Sequence, residues 1–212
     1  MEMLTLLLEG LPVTIALTAG AFLGGAVLAL PLTALRMAPN RALALIAALL
    51  IQIVRAVPPL LWLFLIFFGI GMSIVPISPF PAALIGLTLI AAANLAEIYR
   101  GALASVPSGQ WEATRALNMG GLTTLVEIIG PQVFRVALPS AATYLIGLMK
   151  ETAIASTIGV QELVFRGNQV TQLTYRGLES FAVVAALFIA LSLPVAWASR
   201  RLDKALRAKV VR

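Results

Sequence analysis

The chain has 212 residues, of which 60% are hydrophobic and 11% charged, with a formal net charge of +6. Its mean hydropathy of +1.00 lies outside what a soluble domain of this size shows. Cysteine and histidine are both absent, which excludes disulfides, thiolate metal sites and thiol catalysis and removes the commonest acid–base group and metal ligand.

A helix crossing about 30 Å of hydrocarbon needs roughly 20 predominantly apolar residues. No charge occurs from 11 to 35, 42 to 54, 56 to 96, 136 to 149 or 180 to 199. The long middle stretch contains Gly69, Gly71, Pro76, Pro79 and Pro81, a turn signal that divides it in two. Five spans are predicted, at 11–35, 43–69, 82–103, 132–155 and 180–199. Glu2 and Glu9 precede the first of them. A secretory signal peptide would instead begin with basic residues and a short apolar core.

In the first span, Ala16, Gly20 and Gly24 recur at four-residue spacing, a pattern that lets another helix backbone approach closely. Orientation follows from the placement of Lys and Arg, which are enriched in cytoplasmic loops. With the N-terminus outside, the cytoplasmic side receives Arg36, Arg41, Arg100, Arg115, Arg135, Arg200, Arg201, Lys204, Arg207, Lys209 and Arg212, eleven of the fifteen cations. The positive charge is therefore read as membrane orientation, not as nucleic-acid binding.

Charges at membrane depth are costly and read as functional by default. Arg55 is followed by Val57, Pro58 and Pro59, where missing N–H groups bend the helix and free carbonyls toward a polar cavity. Glu97 lies near Asn94 in the inner half of the third span, with Arg100 three residues on. Lys150 and Glu151, followed by Thr152, interrupt the fourth apolar run. These six candidates, Arg55, Asn94, Glu97, Lys150, Glu151 and Thr152, supply both signs of charge along a path, as a zwitterionic solute requires. Structural pairing among the charges is the competing reading.

The cytoplasmic segment 104–130 opens with Pro107 and Ser108, suited to starting a helix that runs from Gln110 to Leu117. Asn118, Met119, Gly120 and Gly121 end it. Thr124-Leu125-Val126-Glu127 has the form of a capping box and predicts a new helix start. An ordered helix-turn-helix fits a docking surface or a hairpin lying on the membrane. Outside, 161–179 carries turn signals at Arg166-Gly167-Asn168 and Arg176-Gly177. It reads as a connector or as a contact for an extracytoplasmic partner. No G-x-x-x-x-G-K-[ST] phosphate loop is present, so any ATP is hydrolysed by another chain.

Glu112-Ala113-Thr114, then Asn118, then Ile128 with Pro131, resembles the EAA motif of permeases in the ATP-binding-cassette importer family. Ala96-Glu97-Ile98-Tyr99-Arg100-Gly101-Ala102, Val106-Pro107-Ser108-Gly109-Gln110, Arg55-Ala56-Val57-Pro58-Pro59 and Lys150-Glu151-Thr152 look like the version in its polar amino-acid subfamily. Two positions depart from the motif: its glycine is Asn118, and the leucine before its proline is Gly130.

The resemblance implies an all-α integral membrane protein of the type I importer permease fold. It implies one permease domain over 1–212, multi-pass in the bacterial cytoplasmic (inner) membrane, with 104–130 as coupling-helix loop. Gln110, Glu112, Ala113, Arg115, Asn118 and Gly120 are the implied ATPase-docking residues. The implied partners are a cytoplasmic ATPase dimer, a second permease copy or homologue, and an extracytoplasmic amino-acid-binding protein, besides membrane lipid. The chain itself is expected to be non-catalytic and to bind no cofactor, ATP and Mg²⁺ belonging to the ATPase. The implied solute is a polar amino acid or a related small polar compound such as an opine, a compatible solute, a thioether amino acid or a cystine-like compound. A self-contained secondary transporter is the alternative from another class, against which stand the few spans and the lack of inverted repeats.

Overall fold

A computed structural model describes residues 2–208, with side chains for 3–202. The side chains of Lys204 and Arg207 thus lie outside the description, as do Lys209 and Arg212 entirely. The described residues are helical almost throughout: α1 (Glu2–Leu8), α2 (Leu11–Arg36), α3 (Arg41–Ala56), α4 (Pro59–Phe64), a π-helical segment Leu65–Ile70, and α5 (Gly71–Ser73). They continue as α6 (Pro79–Ala104), α7 (Ser108–Ala116), α8 (Gly121–Thr123), a second π-helical segment Thr124–Ile129, and α9 (Gly130–Glu151). A 3₁₀ segment Thr152–Ile158, α10 (Leu163–Thr174) and α11 (Gly177–Ala208) complete the chain.

Four segments are long and apolar enough to cross a membrane: Met3–Arg36, Pro79–Ala104, Gly121–Ile158 and Gly177–Leu202. The second predicted span is different. Arg41–Ala56 and Pro59–Ser73 meet at a 97° bend, so the span predicted over 43–69 is broken at the prolines expected to bend it. Pro58 and Pro59 cannot donate to the carbonyls four residues back, those of Val54 and Arg55, and Pro58 forces Val57 out of the helical region. Val57 and Pro58 are accordingly extended, with ψ of 129° and 137°. The Trp62 indole donates to the Val54 carbonyl at 3.0 Å, replacing the partner that Pro58 removes.

The centre of the molecule is the pairing of α2 with α6, built around Leu17, Ala21, Leu87 and Ala91, all fully buried. Small residues make the approach possible. A Cβ on Gly25 would lie 2.5 Å from the Ala91 Cβ and 3.0 Å from its backbone; Gly20 faces Leu84 and Gly24 faces Thr88. Ala16 is exposed, so the predicted small-residue stripe serves the contact from Gly20 onward. Deeper toward the cytoplasm, the Thr33 hydroxyl, buried with Ala29, reaches the Ala96 carbonyl of α6 at 3.2 Å. The outward faces remain apolar: Leu23, Val27, Leu45, Ile189 and Leu193 are exposed, as hydrocarbon contact requires.

Two local expectations are corrected. Thr124 does not cap a helix: the turn already starts at Gly121, Gly120 accepts from the Thr124 N–H at 2.9 Å, and Thr124 lies within continuous helix. Arg166-Gly167-Asn168 is not a turn but the interior of α10. Gly167 is there for packing, since a Cβ would lie 3.0 Å from Val184 and 3.3 Å from Phe181 of α11. Arg176-Gly177 does form the turn, preceded by Tyr175 in the left-handed region.

Candidate functional site

The cytoplasmic unit is a short rigid helix with a sharp stop. Helix α7 starts at Ser108 after Pro107 and ends where Asn118 adopts φ 50°. An asparagine tolerates that conformation at little cost, so it performs the turn for which the motif uses glycine. The Met119 N–H closes onto the Thr114 carbonyl at 3.0 Å and the Asn118 N–H onto that of Arg115 at 2.9 Å. Thr114 is buried and Trp111 half-buried against the body, whereas Gln110, Glu112, Ala113, Asn118 and Gly120 are exposed. Gln132 of α9 donates to the Gln110 side chain at 3.1 Å and to the Ile128 carbonyl at 2.9 Å, tying α7 to the next span. Arg115 is exposed and its Nε donates to the Trp111 carbonyl at 3.2 Å.

Between α7 and α9 lies the π-helical segment Thr124–Ile129. At Gly130 a Cβ would lie 2.5 Å from the Leu125 carbonyl oxygen. The wide turn and the glycine therefore belong together, and the departure from leucine at 130 has a local cause. Single π turns of this kind mark functional joints in helices.

Within the membrane, the bend after α3 brings Arg55 to Asn94 of α6, with Nε donating to Oδ1 at 3.2 Å. Asn94 in turn donates to the Ile90 carbonyl at 2.9 Å. Tyr144 of α9 approaches Asn94 and stands within Coulombic range of Glu151. Its buried hydroxyl closes no hydrogen bond of good geometry, and the buried Oε2 of Glu151 likewise has no partner. Buried polar groups left open in this way are few in native proteins and call for an explanation.

The remaining candidates divide. Glu97 is engaged by Arg100 at 2.8 Å and by Arg36 of α2 at 3.7 Å, a tie between α2 and α6. Thr152 is buried and donates to the Met149 carbonyl at 2.7 Å. Lys150 is exposed. Tyr144 was missed in the sequence, although a readable signal existed: it precedes Glu151 by seven residues, two helical turns, and so shares its face.

Residues 16–208 match the family of binding-protein-dependent transport system inner membrane components. The chain belongs to that family. Among its relatives, the L-cystine transport system permease protein TcyB of Bacillus subtilis is 34% identical over 200 residues, covering 92% of this chain and 86% of that protein. The nopaline transport system permease protein NocM of Agrobacterium fabrum is 32% identical, covering 86% and 80%. A crystal structure of an amino acid ABC transporter with histidines superposes with a TM-score of 0.88 at 29% identity, covering 95% of this chain and 94% of that one. An inward-facing structure of the MetNI methionine ABC transporter gives 0.81 at 25% identity, covering 97% and 98%. The resemblance to importer permeases carried by 104–130 is thereby borne out, together with the fold and the inner-membrane location. This inner membrane component is a transport subunit.

Proposed function

We propose that this chain is the passage and the lever of an importer that carries a polar amino acid into the cytoplasm. The observation that supports it is the constellation of Arg55, Asn94, Tyr144 and Glu151 at the bend of the second span. A cation and an amide are bonded there, a hydroxyl lies beside the amide and a carboxylate stands two helical turns further along α9, the last two left open. An α-amino acid offers a carboxylate for Arg55 and an ammonium group for Glu151. The named relatives for L-cystine and nopaline fit a solute of this class. The passage role rests on Arg55, Asn94, Tyr144 and Glu151, with Lys150 and Thr152 at its outer end, and Glu97 is a tie beside it.

Helix α7 is the lever. Glu112 and Ala113, with Gln110, Asn118 and Gly120, face a cleft on a cytoplasmic ATPase dimer, which binds ATP and Mg²⁺ and performs the hydrolysis. A second permease copy or homologue completes the pathway, and an extracytoplasmic binding protein delivers the solute. Closure of the ATPases pulls α7, and the π-helical joint passes the movement to α9.

The test is uptake by proteoliposomes holding the chain with its cognate ATPase and binding protein, measured across a panel of radiolabelled amino acids. Tyr144→Phe and Glu151→Gln should each lower uptake while leaving assembly with the ATPase intact. Unchanged uptake in both would overturn the passage assignment.

A further inference from the structure

The outer end of the molecule is divided between two packed units, and an ion pair bridges them. Leu7 of α1 is buried with Leu163 and Val170 of α10 and Val184 of α11, whereas Leu17 and Ala21 of α2 are buried with Leu87 and Ala91 of α6. The joint between the units is Glu9-Gly10, the turn from α1 into α2. It rests directly on the start of α10. A Cβ on Gly10 would lie 2.8 Å from the Glu162 carbonyl carbon and from the Leu163 nitrogen, and the Leu163 N–H donates to the Thr14 hydroxyl at 3.2 Å. Arg166 pins the joint, with Nη2 3.1 Å from the Glu9 carboxylate. The same guanidinium donates to the Gln169 side chain at 2.8 Å and to that of Gln161 at 3.0 Å.

Two buried polar atoms beside this pin remain open: Oε2 of Glu162 and Nε of Arg166. Glu162 precedes Arg166 by four residues, the spacing and the order in which a carboxylate and a cation pair on a helix. A buried acceptor and a buried donor one turn apart, each without a partner, call for an explanation, and each is what the other lacks. They are kept from pairing because Arg166 is engaged by Glu9, whose side chain is half exposed. Ion pairs of that kind are weak enough to exchange. We propose that Arg166 is a two-position clasp: on Glu9 it holds the α1–α2 joint against α10, and on Glu162 it frees the joint so that the outer end of α2 separates from α10. The proton on Glu162 selects the position. Burial raises its pKa to about 7, so below that pH a neutral carboxyl leaves Arg166 to Glu9, and above it the carboxylate draws the guanidinium to itself. The elements around Glu162 bring no competing charge. The 3₁₀ segment has none, α1 has none among its described side chains, and Arg176 and Glu179 at the start of α11 pair with each other at 3.4 Å. The clasp is independent of which solute is carried.

The experiment is hydrogen exchange of the full-length chain in nanodiscs, resolved to single residues by fragmentation mass spectrometry and corrected for the intrinsic rate at each pH. The Leu163 N–H is the readout, because release costs it the Thr14 hydroxyl. The Val170 N–H inside α10 is the control, because it changes only if the helix itself opens. With the Glu162 pKa moving from about 7 in the clasped form to 4.5 on release, protection at Leu163 should fall about tenfold between about pH 6 and about pH 8 while Val170 holds. Glu162→Gln keeps the capping oxygen and takes no charge, so it should stay protected at both pH values. Glu9→Gln should lower protection about fivefold already at about pH 6, the loss of one half-exposed ion pair. Melting temperatures report that both variants fold, and the native chain's own pH response decides should either fail to. Protection at Leu163 that ignores pH in the native chain, a pH response retained by Glu162→Gln, protection unchanged in Glu9→Gln, or an equal loss at Val170 would each overturn the proposal.

Discussion

Arg55 and Asn94 lie 39 residues apart in the chain and share a hydrogen bond of 3.2 Å across α3 and α6. The bond exists because Pro58 and Pro59 end α3 where Arg55 can turn toward α6, and because Trp62 secures the bend through the Val54 carbonyl. A pair held by a bend is positioned for a ligand in a way that two residues on straight helices are not.

Arg55→Gln should therefore lower uptake about 10- to 100-fold, the equivalent of one charge-assisted hydrogen bond. Asn94→Ala should cost less alone and little in addition to Arg55→Gln. A double-mutant cycle on uptake checks the coupling. Strict additivity would separate the two residues functionally.

The α2–α6 seam predicts opposite outcomes for two glycines of the same fold. Gly25→Val places a side chain into Ala91 and should destabilise by about 1–3 kcal/mol. Gly101→Ala meets nothing within 4 Å and improves helix propensity, so it should be neutral or slightly stabilising. Thermal melts of the two detergent-solubilised variants decide the matter.

On the extracytoplasmic connector, Glu162 caps α10 by accepting from the Phe165 N–H at 2.8 Å, and its second oxygen is buried without a partner. Burial raises its pKa from 4.5 to about 7, against the lowering effect of the Val164 and Phe165 N–H groups. The folded state thus holds the proton more tightly than the unfolded chain. The stabilisation is complete below about 4.5 and is lost as the pH rises through about 7. Melting temperature should fall across that window in the native chain and stay flat in Glu162→Gln, which keeps the capping oxygen.

The spans were readable because hydrocarbon allows so few solutions that length and charge placement define them. The left-handed stop at Asn118 was readable for the same local reason that glycine usually occupies it. The bend angle was not, since Pro58 and Pro59 announce a break but only packing against α6 sets its direction. The false capping box at Thr124 shows the limit of short motifs: Thr and Glu stand at the right spacing, yet Gly120 and Gly121 had already started the helix. Tyr144 went unseen because a lone tyrosine in an apolar span looks like core until Asn94 and Glu151 are placed beside it.

The central claim is that solute moves through this chain only when a docked ATPase drives α7. Uptake of radiolabelled amino acid into proteoliposomes containing the chain, its ATPase and its binding protein tests it most directly, with ATP supplied inside and Glu112→Lys as the variant. The account predicts ATP-dependent uptake that Glu112→Lys abolishes together with ATPase binding. Uptake driven by an ion gradient in vesicles lacking the ATPase, or undiminished in Glu112→Lys, would contradict it.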